Sequence, residues 1–445
     1  MPRTVPDKLP PLAELEAAVQ RSPADVDTWR DLASGYAALH MFELAVQILS
    51  HAIRLAPRDA GLRAQLGHAL IGACNPREAL AQMQEARRLD LRNAAVRTLD
   101  LGAAHAAAGE HEVAARLFRE VLQVDPGMRA AWIRLAWALH AARDFAEAIP
   151  VFERAAALQP GSVELWNALA DACEKTGDEA KAARSYQLSL RLDPAQPRIL
   201  LFLGACYVRL HRLDDAEAAY TEARRLTPGS TTPHRALGHL ALRRKRPQEA
   251  LEHFRRAVCL RAHDATLWHS LCDAHDQAGN ARAAIEAARQ RVRLDPTSVA
   301  AHLDLGLYCR LAGRHDEAAR SLVRAVRLAP DNRVALDELR DQLSLLNDTL
   351  DFDAARENLE ALVKLAPDDA PAWRQLGWIY SLFLRHKDAI AALRRALDLV
   401  PGDAEAWHIL ARVLELENDG PAIVQAFDRL VTVAPAQAQD FYASP

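Results

Sequence analysis

Lysine is nearly missing from this chain, at six of 55 basic residues, the remaining 49 being arginine. A bias of that kind fits a genome rich in G and C, which points to a bacterial source and carries no mechanism. Aromatic residues are scarce at 6% although half the chain is hydrophobic. Alanine and leucine must therefore supply most of the buried surface, which suits closely packed helices. No run of about 18 apolar residues occurs, so no ordinary transmembrane helix and no membrane insertion is expected. Met1 to Pro11 holds no apolar core and does not read as a signal peptide. With a formal net charge of −4 and a pI of about 6.5, the chain lacks the global basic field that nucleic acid demands. The six cysteines form no C-x-x-C pair and read as small buried residues of a reducing compartment, so the cytoplasm is the expected location. There is no G-x-x-x-x-G-K-[ST], G-x-S-x-G, H-E-x-x-H or dinucleotide-type glycine run. No enzyme, cofactor or metal is expected.

What the chain does have is a period. Between Arg129 and Ser162, Trp132, Leu135, Ala136 and Leu139 fall on one helical face, a polar break follows at Arg143 and Asp144, and a second helix carries Ala148, Phe152 and Ala155 before Pro160. The pattern recurs twelve times from Val26. Each repeat closes on a proline, from Pro57 to Pro435, except at Leu91 and Ala262; the spacing is 34 residues, apart from 35 between Leu91 and Pro126 and 37 between Pro330 and Pro367. Proline cannot continue a helix and restrains the residue before it, which fixes the exit turn. The first-helix anchor is Trp29, Trp132, Trp166, Trp268, Trp373 or Trp407, with Arg63, Thr98, Leu200, His234, His302 and Leu336 in the other repeats. Leucine follows three residues later every time, and then mostly glycine or alanine, where two helices must approach closely. Upstream, Leu12, Leu15, Ala18 and Val19 give one amphipathic helix, a lone second helix that shields the first full repeat from water.

Trp373-x2-Leu376-Gly377-x2-Tyr380, continued by Ala389 and Pro401, resembles the tetratricopeptide repeat, and the likeness extends over residues 26–437. It implies an all-α, right-handed superhelical solenoid of about twelve helix pairs with an N-terminal half-repeat helix. The expected layout is a tail and capping helix at 1–25, twelve repeats at 26–437 with an irregular one at 333–369, and a tail at 438–445. The resemblance also implies a concave groove, lined by the first helices, that holds an extended peptide or a helix of a partner protein.

The position five residues after the anchor faces that groove. It contributes His68, Trp137, Asp171, His239, Asp273, Asp341, Trp378 and Arg412, and one turn further on Glu174 and Asp276 complete carboxylate pairs in repeats 5 and 8. With Arg198 and Arg209 in repeat 6 and Arg243 in repeat 7 the surface is mixed in charge. Trp137 and Trp378 lie off the packing motif, as groove anchors or as packing against the neighbouring repeat. Two family subtypes are disfavoured. Arg30 and Ser34 are the nearest approach to the Lys/Asn set of chaperone-tail binders, and Asp31, Gln65, Asp100, Arg134, Ala168 and Phe202 stand where O-linked sugar transferases carry an asparagine ladder.

Other features read as structural. His269, Cys272 and His275 spread round a helix and share no face for a metal; Asp348, Asp351 and Asp353 lack the glycine and closing glutamate of a calcium loop. Arg243 to Arg246 form a short basic turn, read as a solvated edge. Repeat 10 carries Arg340 where a small residue is expected, and three extra residues placed in the connection Leu346 to Asp353, read as a tolerated loop or a hinge. In the last helix Ile423, Val424, Phe427 and Leu430 form an apolar face with too little chain after it for a polar cap, unless Phe441 and Tyr442 fold back. That face offers a site for another copy or another chain. The expected function is a non-enzymatic scaffold or adaptor holding a peptide segment or helix in the groove. The alternatives are a regulatory or substrate-recruiting subunit of an enzyme such as a transferase, or a scaffold that self-assembles through the C-terminal face.

Overall fold

The computed structural model describes residues 11–348 and 352–435, with the side chains of 344–348 left aside. Among the described residues there are 25 helices and no strand. The first, Leu12–Arg21, packs Leu15 and Val19 on Leu32 of repeat 1, as the half-repeat expectation requires. The other 24 form twelve pairs, from Val26–Ala38 with Phe42–Leu55 to Ala404–Leu416 with Gly420–Val433. Two compact units result, residues 1–226 with repeats 1 to 6 and residues 227–445 with repeats 7 to 12.

Three local devices make each repeat. Most first helices start on a side-chain cap: Asp25, Asp59, Ser162, Asp264, Ser298 and Asp403 each accept a hydrogen bond from a first-turn amide, whereas those of repeats 3, 4 and 6 start without one. The anchor tryptophan then donates its indole N–H to the carbonyl of the closing residue six positions upstream, as Trp132 does to Pro126 and Trp407 to Pro401 at 2.9 Å. That bond explains why arginine can serve at position 63, where it donates to Pro57 (2.9 Å), and why histidine can serve at 302 (3.1 Å to Pro296). Finally, in every repeat but the tenth, the turn between paired helices places the residue eleven after the anchor in the left-handed region. Glycine supplies it at Gly109, Gly177, Gly279 and Gly313, and ordinary side chains at the other seven described positions, such as Arg143 and Leu384.

The small residue after the invariant leucine is a socket. A Cβ at Gly102 would stand 2.6 Å from the Phe118 ring, and one at Gly204 2.3 Å from Tyr220. A large side chain of the second helix thus occupies the space that glycine leaves. Fully buried alanines such as Ala45, Ala114, Ala148 and Ala250 line the opposing face. Consecutive pairs bury each other's apolar sides in sequence order within each unit, so that one cluster joins repeats 1 to 3 and another repeats 9 to 11.

Repeat 10 corrects one expectation. Its extra residues do not lengthen the connection Leu346 to Asp353; the first helix, Arg333–Asp348, runs for 16 residues instead of 13 or 14, and the second starts at Phe352. Arg340 snorkels out of the crossing and bonds Asp369, the cap of the next repeat, at 2.7 Å. In repeats 1 and 11 the residue just after the anchor makes this contact, Arg30 to Asp59 at 2.7 Å and Arg374 to Asp403 at 2.9 Å. In repeat 10 it is made three residues later. The following repeat therefore meets this helix about one turn, or ~4.5 Å, further along its axis.

Candidate binding groove

The groove is built from first-helix positions two, five and eight residues after the anchor, which lie on one face. Polar contacts cross this face from repeat to repeat. His68 reaches Asp100 (3.1 Å), His140 reaches Asp171 (2.8 Å), Arg209 pairs with Glu174, and the Tyr308 hydroxyl donates to Asp273 (2.6 Å). His239 lies 3.4 Å from the Ser270 hydroxyl and edge-on to Phe254. The expected carboxylate pairs are therefore not free charge: Asp171, Glu174 and Asp273 hold neighbouring helices together. Asp276 and Asp341 are exposed, as is Arg412.

The face opens into a cavity of about 600 Å³ across repeats 4 to 6. Trp137 and Phe202 line it, each 41% exposed. Trp137 stands perpendicular to Phe152 with centroids 5.5 Å apart, so that one face of the indole stays open. Phe202 is stacked on Tyr186 at 6.1 Å. Tyr186 is fully buried and donates its hydroxyl to Glu174 (2.7 Å); burial first, and then that bond, push its pKa well above the usual phenol range. Asn167 bonds Gln196 (2.9 Å), and Glu164, Asp171 and Arg198 complete the rim. The site thus offers two aromatic surfaces, two carboxylates and one guanidinium, with a buried tyrosine holding it rigid.

Trp137, Asp171 and Arg198 are the groove residues named from the sequence that line this cavity, and Glu174 supports it from behind. His68 lines a separate cavity of about 720 Å³ in repeats 1 to 3, with Arg30, Asp59, Arg97 and Asp100. Trp378 is half-buried among core residues and meets Phe352 of the preceding repeat edge-on at 5.6 Å. Sequence reasoning missed Phe202, Tyr186 and His140. Phe202 carried a signal, an aromatic residue on a polar face one position before the invariant Leu203.

Among the described residues His269, Cys272 and His275 do not form a close donor group. His269 lies against Asp304 (2.9 Å), while Cys272 and His275 are core residues of repeat 8. Among the described residues the one group of close metal-type donors is Glu174, Glu179 and Cys206, and Arg209 bonds both of those carboxylates. Burial pushes the thiols of Cys206 and Cys272 up to about 12, so neither is a thiolate at neutral pH. The last helix buries Leu430, half-buries Ile423 and Phe427, and leaves Val424 60% exposed; residues 436–445, including Phe441 and Tyr442, lie outside the described residues. No helix among the described residues is long and apolar enough to cross a membrane.

These features define a helical-repeat scaffold for protein interactions. Two sequence models described as Tetratricopeptide repeat match it, one at 105–170, 139–187 and 350–413, the other at 168–231, 203–265 and 271–333. The chain belongs to the tetratricopeptide repeat family. A curated relative, U-box domain-containing protein 70 of Oryza sativa subsp. japonica, is 24% identical over 155 residues, which is 35% of this chain and 19% of that protein. Among solved structures, MamA from Desulfovibrio magneticus RS-1 is 22% identical with a TM-score of 0.36, covering 38% of this chain and 97% of that one. YrrB, titled a TPR protein with an unusual peptide-binding site, is 20% identical with a TM-score of 0.35, covering 42% and 96%. A tetratricopeptide repeat protein from Parabacteroides merdae ATCC 43184 is 15% identical with a TM-score of 0.41, covering 56% and 98%.

Proposed function

We propose that the chain is a non-enzymatic, cytoplasmic scaffold or adaptor that grips a segment of a partner protein in the groove of repeats 4 to 6. The observation that carries this reading is the pair of half-exposed aromatic rings, Trp137 and Phe202, lining one cavity. Rigid aromatic surfaces of this kind dominate binding energy where they meet a partner's apolar side chain. Glu164 and Asp171 on one side and Arg198 on the other favour a segment in which an apolar residue lies beside a basic one. Affinity capture from the native cell tests it: Trp137→Ala and Phe202→Ala are expected to lose a partner that the unaltered chain retains. Capture of the same partners by both variants would count against the groove.

The alternative, a regulatory or substrate-recruiting subunit of an enzyme such as a transferase, or a self-assembling scaffold, joined through the final helix, draws on Val424 and Val431, exposed at 60% and 42%. Light scattering that gives a monomer at high concentration would remove self-assembly. A partner still bound by Val424→Asp would remove docking there.

A further inference from the structure

A cavity of about 980 Å³ in repeats 7 and 8 is assigned no role by the groove, and its walls are chemically selective. It surrounds the start of the helix Ala281–Leu294, with Asn280, Ala281, Arg282 and Ala283 all in the lining. No side chain caps that helix, so its first-turn amides point their partial positive charge at open space. Arg255 and Arg282 face the same cavity, both exposed, and neither forms an ion pair among the described residues. The one carboxylate in the lining, Glu286, is bound to Arg289 at 2.5 Å.

The independent observation is His275. The residue is 94% buried and lines the cavity, and its side-chain Nδ1 has no hydrogen-bond partner. A buried polar nitrogen left unpaired is destabilising, and such a group beside a cavity calls for a partner that a ligand can supply. Burial and then the nearby Arg255 lower the pKa of this ring, which keeps it neutral and able either to accept or to donate one hydrogen bond. Beside these polar groups the floor is apolar, with Leu271, Ala287 and the half-buried ring of Trp268.

We propose that this cavity binds a small oxyanion, phosphoryl or carboxyl, carried on an apolar or aromatic body. The oxygens lie at the open helix start between Arg255 and Arg282, and the body rests on Trp268 and Leu271 beside His275. Guanidinium forks and helix-start amides both match the oxygens of such groups. A cavity this size leaves room for more than the anion itself.

Isothermal titration of the full chain tests the assignment with four probes: inorganic phosphate, phenyl phosphate, benzoate and a tyrosine-phosphorylated peptide. Phenyl phosphate or benzoate is expected to bind saturably, about tenfold more tightly than inorganic phosphate, because the ring adds apolar contact. Arg255→Ala and Arg282→Ala are each expected to weaken binding about tenfold, and both residues are exposed, so the fold tolerates the change. His275→Phe, which fills the wall but removes the polar atom, is expected to weaken binding with the melting temperature kept. Preferential binding of the peptide would assign the anion to a protein partner; equal binding of the free aryl anion would assign it to a small molecule. The assignment is overturned if no probe binds saturably up to about 10 mM. It is equally overturned if affinity survives loss of both arginines, or if inorganic phosphate binds as tightly as the aryl anions.

Discussion

Trp137 in repeat 4 and Trp378 in repeat 11 both stand five residues after their anchors, and the same register gives them different surroundings. Trp137 touches Phe152 and His140 of its own repeat and leaves 41% of its surface open. Trp378 meets Phe352 of the repeat before it and joins the core cluster of repeats 9 to 11. Register decides which way a side chain points, but the neighbouring repeat decides whether anything fills the space in front of it. Repeat 10, with its longer first helix and its one-turn offset, brings a phenylalanine against Trp378. Among the described residues the ring partners of Trp137 both belong to its own repeat. The two tryptophans therefore separate a binding role from a packing role within one sequence position.

Truncation should break that comparison most clearly. Trp378→Ala is expected to lower unfolding free energy of residues 227–445 by about 3 kcal/mol, the low end of the range for large aromatic truncations in a core. Trp137→Ala is expected to cost about 1 kcal/mol in stability, since part of the ring is already in water, yet to cost partner affinity about 2 kcal/mol. Urea unfolding with hydrogen exchange on each unit separates the two effects. Equal destabilisation by both changes would mean that the open indole face is not a feature of the folded chain.

The second contrast concerns the contact from a first helix to the next cap. Asp369 is 1% exposed and bonded to Arg340, whereas Asp59 is 30% exposed and bonded to Arg30. Arg340→Ala strands a buried carboxylate and is expected to cost about 2 kcal/mol, while Arg30→Ala leaves a carboxylate that water can reach and should cost under about 1 kcal/mol. Chemical denaturation of both variants against the parent measures this. A larger loss from Arg30→Ala would contradict the one-turn offset as the reason Arg340 occupies a small-residue position.

The repeats were legible because five positions in every 34 carry the packing: the anchor, the leucine, the small socket, the alanine and the closing residue. Even Leu91 and Ala262, which replace the closing proline, do not disturb the count, because the other four positions hold the register. The place of the insertion in repeat 10 was not legible. Three residues added to a helix turn it by about 300°, close to a full turn, so the apolar pattern reads almost the same whether helix or loop receives them. Nor was the state of the inner carboxylates. Asp171 and Asp273 appear as free acid in a linear sequence, and their partners His140 and Tyr308 lie 31 and 35 residues away on the adjoining first helix. Phe202 could have been found, because on a helix position two after the anchor shares a face with position five.

Acid should separate the two units next. Burial lowers the pKa of both His239 and His275 in residues 227–445, with Arg235 and Arg255 respectively acting in the same direction. A histidine whose folded pKa lies below its unfolded value adds stability above about pH 6.5 that is lost as pH falls through the folded pKa. In residues 1–226 the lowered groups are carboxylates, Asp90, Asp100, Glu164 and Glu222. Asp90 is held by Asn93 and Arg97; for Asp100, burial opposes the charge but His68 and Arg97 outweigh it. Their contribution is lost only on approach to the ordinary carboxylate range, near pH 4. Between pH 7 and 5 hydrogen-exchange protection should fall first in repeats 7 to 9, and His275→Phe should remove part of that fall. A first loss in repeats 2 and 3 would refute the assignment of the histidines as the acid-sensitive groups.

The smallest effect expected is a gain. Leu384 holds the left-handed turn position of repeat 11 at φ +56° with 74% of its surface exposed, while Gly177 holds the same position of repeat 5 at φ +82°. A leucine there sets its Cβ against the carbonyl that follows, at roughly 1 kcal/mol, and it buries too little to offset that. Leu384→Gly removes the clash, and the greater freedom of glycine in the unfolded chain returns part of the gain. The net is a rise of about 0.5 kcal/mol, read as a small increase in melting temperature. Gly177→Leu should do the reverse at repeat 5, where nothing lies within 4 Å of the added Cβ and backbone conformation alone sets the cost. If Leu384→Gly lowered stability instead, the exposed leucine would have to make contacts that its accessibility denies. The three apolar residues of that turn, Leu382, Phe383 and Leu384, would then belong to the packing of repeat 11 and not to its surface.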